Sequence, residues 1–176
     1  MKPDRRQAYR SLRARLEGSP SPDSMDDRLD AFIEAAWRYL QDTGVSWIGF
    51  YLPSESGGAS LELGPCRDRP ACSPIGVHGV CGQSFLTGMT RIVPDVLELG
   101  PDYVACDPRD RSEIVIPIRM DSAGDRPADA VLDLDSFQPD SFSDDDDVLL
   151  RDCLLSAGLD PCAVDPSGSN LRSPKA

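Results

Sequence analysis

The chain has 176 residues, of which 40% are hydrophobic, enough for one substantial core and no sign of a second. Its 18 basic and 30 acidic residues leave a net charge of -12, which repels nucleic acid and anionic membrane and points to small-molecule or protein partners. The charged opening, Met1 to Leu16, lacks the apolar core of a signal peptide, and no stretch approaches a membrane span, so the expected location is the cytoplasm.

Arg5 to Leu16 reads as a short basic helix with Tyr9, Leu12 and Leu16 on its apolar side, broken by Gly18-Ser-Pro-Ser-Pro22. From Met25 to Leu40 the residues Leu29, Phe32, Ile33, Ala36 and Leu40 recur at helical spacing. Asp26 and Asp27 sit in the first turn, where the helix dipole favours them, and Gly44 is the stop. Val45 to Leu52 reads as a central strand: Val45, Trp47, Gly49 and Tyr51 share one side and Ile48, Phe50 and Leu52 the other. Core packing is the simplest role for Trp47 and Tyr51. A turn over Pro53 to Gly58 leads to a return strand at Leu61 to Leu63. Gly64 to Gly82 is then a long Gly-, Pro- and Cys-rich loop of the kind that carries binding sites.

Gly82 to Gly88 suggests a short helix and Thr90 to Val93 a strand, followed by a second loop containing Cys106. Ser112 to Met120 is the next strand, with Glu113, Val115 and Pro117 opposite Ile114, Ile116 and Ile118. Asp121 to Pro127 is a turn, and Ala130 to Ser136 the last strand, whose alternation sets Val131, Asp133 and Asp135 together. Two aspartates on one face of a strand expected to be central require a chemical explanation. The run Asp144 to Asp147 does not, since Ser143 as N-cap with carboxylates on the positive end of an apolar helix, Val148 to Leu159, accounts for it. Residues 1–160 are expected to form a single domain, with 1–24 its N-terminal helix and linker, and residues 161–176 a disordered polar tail. Strands in sequence with helices at both ends imply an α+β domain, a mostly antiparallel sheet with helices packed on one face.

Six cysteines in a reducing compartment leave metal, catalysis or packing as roles. Cys66, Cys72 and Cys81 lack zinc-knuckle spacing and His78 is the sole imidazole, which argues against a metal and against a Cys-His nucleophile pair. Cys153 and Cys162 are weak chemical candidates.

Several runs carry a family resemblance: Trp47-Ile-Gly-Phe-Tyr-Leu52, Gly64-Pro65 with Pro70-Ala-Cys72, Gly79-Val-Cys81-Gly82, Val93-Pro-Asp-Val96, Ala105-Cys106-Asp107, Ser112-Glu-Ile-Val-Ile-Pro117 and Val131-Leu-Asp-Leu-Asp-Ser136. Between about Leu29 and Leu159 the chain resembles the free methionine-(R)-sulfoxide reductases, a family built on the GAF fold. The resemblance implies an oxidoreductase in which Cys106 attacks the sulfoxide sulfur and becomes a sulfenic acid. Cys72 then resolves it, with Cys81 or the additional Cys66 as alternatives. No cofactor is implied; an external thiol donor of thioredoxin type reduces the disulfide. By similarity Glu113, Asp133 and Asp135 hold the sulfoxide oxygen and substrate, their crowding keeping one protonated. Trp47 and Tyr51 match an aromatic wall around the methyl-sulfur end. Backbone N–H groups of Gly79, Val80, Cys81 and Gly82 are candidates for the substrate carboxylate. The Cys72–Cys81 segment is one residue short, Tyr103 stands where the family often has His, and Ala128-Asp-Ala130 lacks the usual Gly. The alternative is a GAF-type ligand-binding or redox-sensing module without turnover. Relatives often pair as homodimers, although no surface stripe here demonstrates it.

Overall fold

A computed structural model describes residues 4–55, 59–100, 103, 106–120, 127–163 and 171–172. In chain order the helices are α1 (Arg5–Glu17), α2 (Met25–Leu40), α3 (Val80–Thr87) and α4 (Asp144–Ser156). The strands are β1 (Trp47–Pro53), β2 (Ser60–Arg67), β3 (Ile75–Gly76), β4 (Arg91–Val93), β5 (Ser112–Arg119), β6 (Ala130–Ser136), β7 (Asp160–Pro161) and β8 (Leu171–Arg172). They form one sheet in the order β3-β2-β1-β6-β5-β4-β8, with β7 paired to β5. All pairings are antiparallel except β4 with β8.

The period of two along the three central strands divides the molecule. Ile48 and Phe50 of β1, Ile114, Ile116 and Ile118 of β5, and Leu132 and Leu134 of β6 point to one face. There they pack with Tyr9 and Leu12 of α1, the Leu29, Phe32, Ile33, Ala36 and Leu40 stripe of α2, and Leu150 and Leu154 of α4. The N-terminal helix is thus part of the core. Capping holds these helices at their starts: Ser24 Oγ accepts from the Asp27 N–H at 3.1 Å, and the Asp146 carboxylate accepts from the Ser143 N–H at 2.9 Å. The acidic run 144–147 therefore acts as a helix start, as its position implies.

The other face carries Trp47, Tyr51, Val115 and Val131 with Val80, Cys81 and Phe85 of α3. Three helices cover one face as expected, whereas α3 lies on the opposite side against β4, β5 and β6. Its small residues allow this: a Cβ on Gly82 would stand 2.1 Å from the Val77 Cα, so the helix start can press on the preceding backbone only as glycine.

The structure moves several expected boundaries. β2 runs to Arg67 instead of ending at Leu63, so the first loop is shorter than 64–82. Beyond Leu61 this strand pairs with no further strand on its outer side among the described residues, so Pro65 is tolerated there. The tail boundary expected at 161 falls inside β7, and Cys162 is buried; residues 164–170 and 173–176 lie outside the described residues. So do 121–126 of the expected turn before Ala128. Thr90, Asp147 and Arg151 form a buried polar knot behind β4. The Arg151 guanidinium donates to Asp147 at 2.7 Å and to the Cys162 carbonyl at 2.6 Å, tying that segment down.

Candidate active site

Strand register builds the floor of a cavity of about 240 Å³. On β6, Asp133 faces Gly49 of β1 and Val115 of β5, and Asp135 faces Trp47 and Glu113. Alternation turns Glu113, Asp133 and Asp135 to the same side, all three buried and lining the cavity, with carboxylate oxygens within 4.8 Å of one another. Gly49 is required by the aromatic packing: a Cβ there would fall 2.3 Å from the Trp47 ring, which lies across it. Trp47 Nε1 donates to the Arg69 carbonyl at 2.8 Å, and its ring centroid is 6.1 Å from that of Tyr51.

The loops and α3 supply the walls. Cys81, in the first turn of α3, is buried and its thiol donates to Asp133 Oδ2 at 3.2 Å. Gly79 and Val80 line the cavity beside it, where the helix N–H groups have no capping side chain. Gly82 is buried against Val77 and does not line it. Cys106 lies at the rim with its thiol bordering the cavity. Cys72, exposed, lies close enough to Cys106 to perturb its thiol but does not line the cavity itself, and its carbonyl accepts from the Tyr51 hydroxyl at 3.0 Å. Tyr51 lines the cavity, while Trp47 borders a smaller adjoining recess shared with Cys106, Asp110 and Asp135. Cys66 sits in β2, half-buried, with its thiol on the Arg69 carbonyl.

Three further residues join the site. Asp110, 4% exposed, borders both cavity and recess and accepts from Ser46 Oγ at 3.3 Å. The Tyr103 hydroxyl donates to Glu113 at 3.5 Å. His78, which the sequence offers only as a loop residue, lies on the cavity wall. Asp110 carried no periodic signal because it lies in a loop; its position four residues after Cys106 was the one available clue.

Burial controls the protonation states. Desolvation, then the charge of Asp135, pushes Glu113 well above the ordinary carboxyl range. Asp133 rises by desolvation and then Glu113, and Asp135 by desolvation and then Asp133. The cluster therefore holds its protons more tightly than exposed carboxyls do, as paired carboxylates in low dielectric must. Asp110 rises less, to about 6, through desolvation and the neighbouring Asp107. Desolvation first, then the neighbouring Cys72, pushes Cys106 up to about 12. Burial first, then the charge of Asp133, also raises the Cys81 thiol. A thiol at the rim and proton-bearing carboxyls on the floor can attack a polarised atom and protonate the oxygen it carries.

No family model matches the chain. A Bacillus subtilis relative, protein YtsP, is 35% identical over 149 residues, 84% of this chain and 86% of its own. The free methionine-R-sulfoxide reductase of Escherichia coli is 34% identical over 118 residues, 66% of this chain and 67% of its own. Among solved structures, the free methionine-R-sulfoxide reductase of Neisseria meningitidis in complex with its substrate superposes with a TM-score of 0.73 at 29% identity, covering 88% of this chain and 89% of that one. A structure described as the GAF domain superposes at 0.68 with 29% identity, covering 92% and 90%. The sheet with its cavity face is thus a GAF fold, and the chain belongs to the free methionine-(R)-sulfoxide reductase family.

Proposed function

We propose that the chain is an oxidoreductase that reduces free methionine-(R)-sulfoxide to methionine, with Cys106 as its nucleophile. The observation that carries this is one cavity bordered by the Cys106 thiol and floored by Glu113, Asp133 and Asp135. At about 240 Å³ it is smaller than the usual site for a drug-sized ligand and suits a single amino acid.

The methyl-sulfur end packs against Tyr51 and Trp47, and the substrate carboxylate meets the free N–H groups at the start of α3, at Gly79, Val80 and Cys81. Gly82, which does not line the cavity, serves only to let the start of α3 pack on Val77. A floor carboxyl donates a proton to the sulfoxide oxygen, which makes the sulfur electrophilic, and the Cys106 thiol attacks, its own proton passing to the carboxylate so formed as the bond to sulfur is made. The oxygen passes to the Cys106 sulfur as a sulfenic acid, and methionine leaves as the thioether. Cys72 then displaces that oxygen as water and forms a disulfide, a role supported by its closeness to Cys106, whose thiol it perturbs. Cys81 is less suited to this step, since its thiol is buried on Asp133. Cys66, held in β2 on the Arg69 carbonyl, has no such link. A thioredoxin-type dithiol restores both thiols in the cytoplasm, and no bound cofactor takes part. Among the described residues no helix is long and apolar enough to cross a membrane.

The test is methionine release from the R and S sulfoxides of free methionine with dithiothreitol as donor. Release from the R form alone, abolished by Cys106→Ser, is expected. Full turnover in that variant rejects the assignment, and saturable binding with no turnover by the unsubstituted chain makes it a binding module.

A further inference from the structure

Beside the main cavity lies a second, of about 160 Å³, which shares with it the wall made by His78, Gly79, Val80 and Tyr103 and is bordered by Arg91, a residue the main cavity does not reach. Strand alternation puts the arginine there. On β4, Arg91 pairs with Val115 and Val93 with Glu113; both valines pack on the cavity face, whereas Ile92 packs on the face covered by α1, α2 and α4. Arg91 is half-buried, its Nε is buried with no hydrogen-bond partner, and among the described residues its guanidinium has no ion pair. Burial lowers its pKa and no neighbouring carboxylate offsets that, although a guanidinium stays ionised. No acidic residue lines this second cavity. In a chain with 30 acidic and 18 basic residues, where Arg69, Arg109, Arg111 and Arg151 each hold a carboxylate, a half-buried guanidinium left without one points to an anion that arrives from outside.

The wall common to the two cavities is the start of α3. Its N-cap, Gly79, provides no side-chain cap, and a Cβ there would meet nothing within 4 Å, so the first N–H groups stand open beside the arginine's cavity. Gln83 Nε2 donates to the His78 carbonyl at 2.9 Å and so holds the turn that leads into the helix. We infer that Arg91 and the first turn of α3 form an anion site for the α-carboxylate of a free amino acid, and that Arg91 makes the chain select free methionine sulfoxide over its amidated or peptide-bound forms. The identity of that amino acid rests on the proposed function. A carboxylate seated at the common wall accepts the α3 N–H groups and the guanidinium fork together, and its charge offsets the buried cation. An amidated or peptide-bound methionine sulfoxide brings a neutral carbonyl to the same place and leaves Arg91 uncompensated.

The test compares methionine-(R)-sulfoxide with its carboxamide, which differs in the lost carboxylate charge, on the fully reduced chain with dithiothreitol as donor. In the unsubstituted chain KM should be about 10–100-fold higher for the carboxamide, the range of a hydrogen bond to a charged group. In Arg91→Met the KM for the sulfoxide itself should rise and the preference over the carboxamide should shrink by about tenfold, whereas Arg91→Lys keeps part of it. Arg91→Gln, a second uncharged variant, reports the same loss should the methionine pack poorly. Equal KM for both compounds in the unsubstituted chain, an unchanged preference in the uncharged variants, or a KM raised equally for both compounds overturns the site. Calorimetric binding of the two compounds reads the same preference in Kd without turnover. A preference that depends on Arg91 in a chain that never releases methionine keeps the site and loses the reductase reading, turnover without the preference does the reverse, and binding of neither compound overturns both.

Discussion

Replacing Asp110 by Asn tests how far the acidic lining is kept against the interest of the fold. The side chain is buried, one of its oxygens accepts only the 3.3 Å hydrogen bond from Ser46, and desolvation with the charge of Asp107 raises its pKa from 3.8 to about 6. The unfolded chain ionises this carboxyl near 3.8 while the folded chain keeps it protonated until about 6. The folded state therefore binds the extra proton across that window, and the stability Asp110 contributes at low pH is lost as pH rises through it. A displacement of about two pH units at about 1.4 kcal/mol each sets an upper bound of about 3 kcal/mol. Cavity solvent screens part of it, so about 1–3 kcal/mol is expected. Asn mimics the protonated form, so Asp110→Asn should stabilise by that amount at about pH 8 and by nothing measurable at about pH 2, well below both pKa values. In urea unfolding the gain at high pH corresponds to a midpoint about 0.5–1.5 M higher, with unchanged slope. Equal stability of the two proteins at about pH 8, or an equal gain at both pH values, would refute the reasoning.

Arg151→Met removes the guanidinium that joins Asp147, Thr90 and the Cys162 carbonyl, and should cost about 3–5 kcal/mol in denaturant unfolding because a buried carboxylate loses its ion pair. Gly49→Ala sets a methyl where the Trp47 ring lies, so about 1–3 kcal/mol is lost and tryptophan emission shifts as Trp47 Nε1 leaves the Arg69 carbonyl. Tyr51→Phe deletes the 3.0 Å hydrogen bond to the Cys72 carbonyl, a loss of about 1 kcal/mol. If that bond positions the resolving loop, the Cys106 sulfenic acid should live longer and be trapped by dimedone in greater yield after one turnover. Trapping equal to that of the unsubstituted protein would remove Tyr51 from the resolving step.

The half of the site built on strands was legible because strand geometry is local. Period two along 112–119 and 130–136 forces Glu113, Asp133 and Asp135 onto one side, whatever packs above them. Trp47 and Tyr51 follow by the same rule. The other half depends on contacts between loops distant in sequence, which no periodicity encodes. Whether Cys72 approaches Cys106 is decided by how residues 68–79 and 106–111 fold over the sheet, and the resemblance supplied that pairing where spacing left Cys72, Cys81 and Cys66 open. Asp110 was missed for the same reason. β2 was read too short because Gly64 and Pro65 signal a break, while an edge position tolerates both. The burial of Cys162 depends on β7 pairing with β5 and on Arg151 reaching its carbonyl, neither visible in a polar segment.

The division of the sheet explains how an acid cluster survives in a core. Each central strand gives its aliphatic side to α1, α2 and α4, where apolar burial at about 25 cal/mol per Å² supplies the stability of the domain. The opposite residues of the same strands are then free to be poor packers: Glu113 opposite Asp135, Asp133 opposite Gly49, and orphaned oxygens left on Glu113 and Asp133. Buried anions this close would repel each other strongly, so burial first and mutual charge second raise all three carboxyls, and the folded chain holds protons there more tightly than exposed acids would. What weakens the cavity face is thus what, on the proposed mechanism, equips it to protonate a leaving oxygen. A change that made this face a better core, such as an aliphatic residue at 133, should raise stability while removing one of the three carboxyls proposed to supply that proton, and so lower turnover.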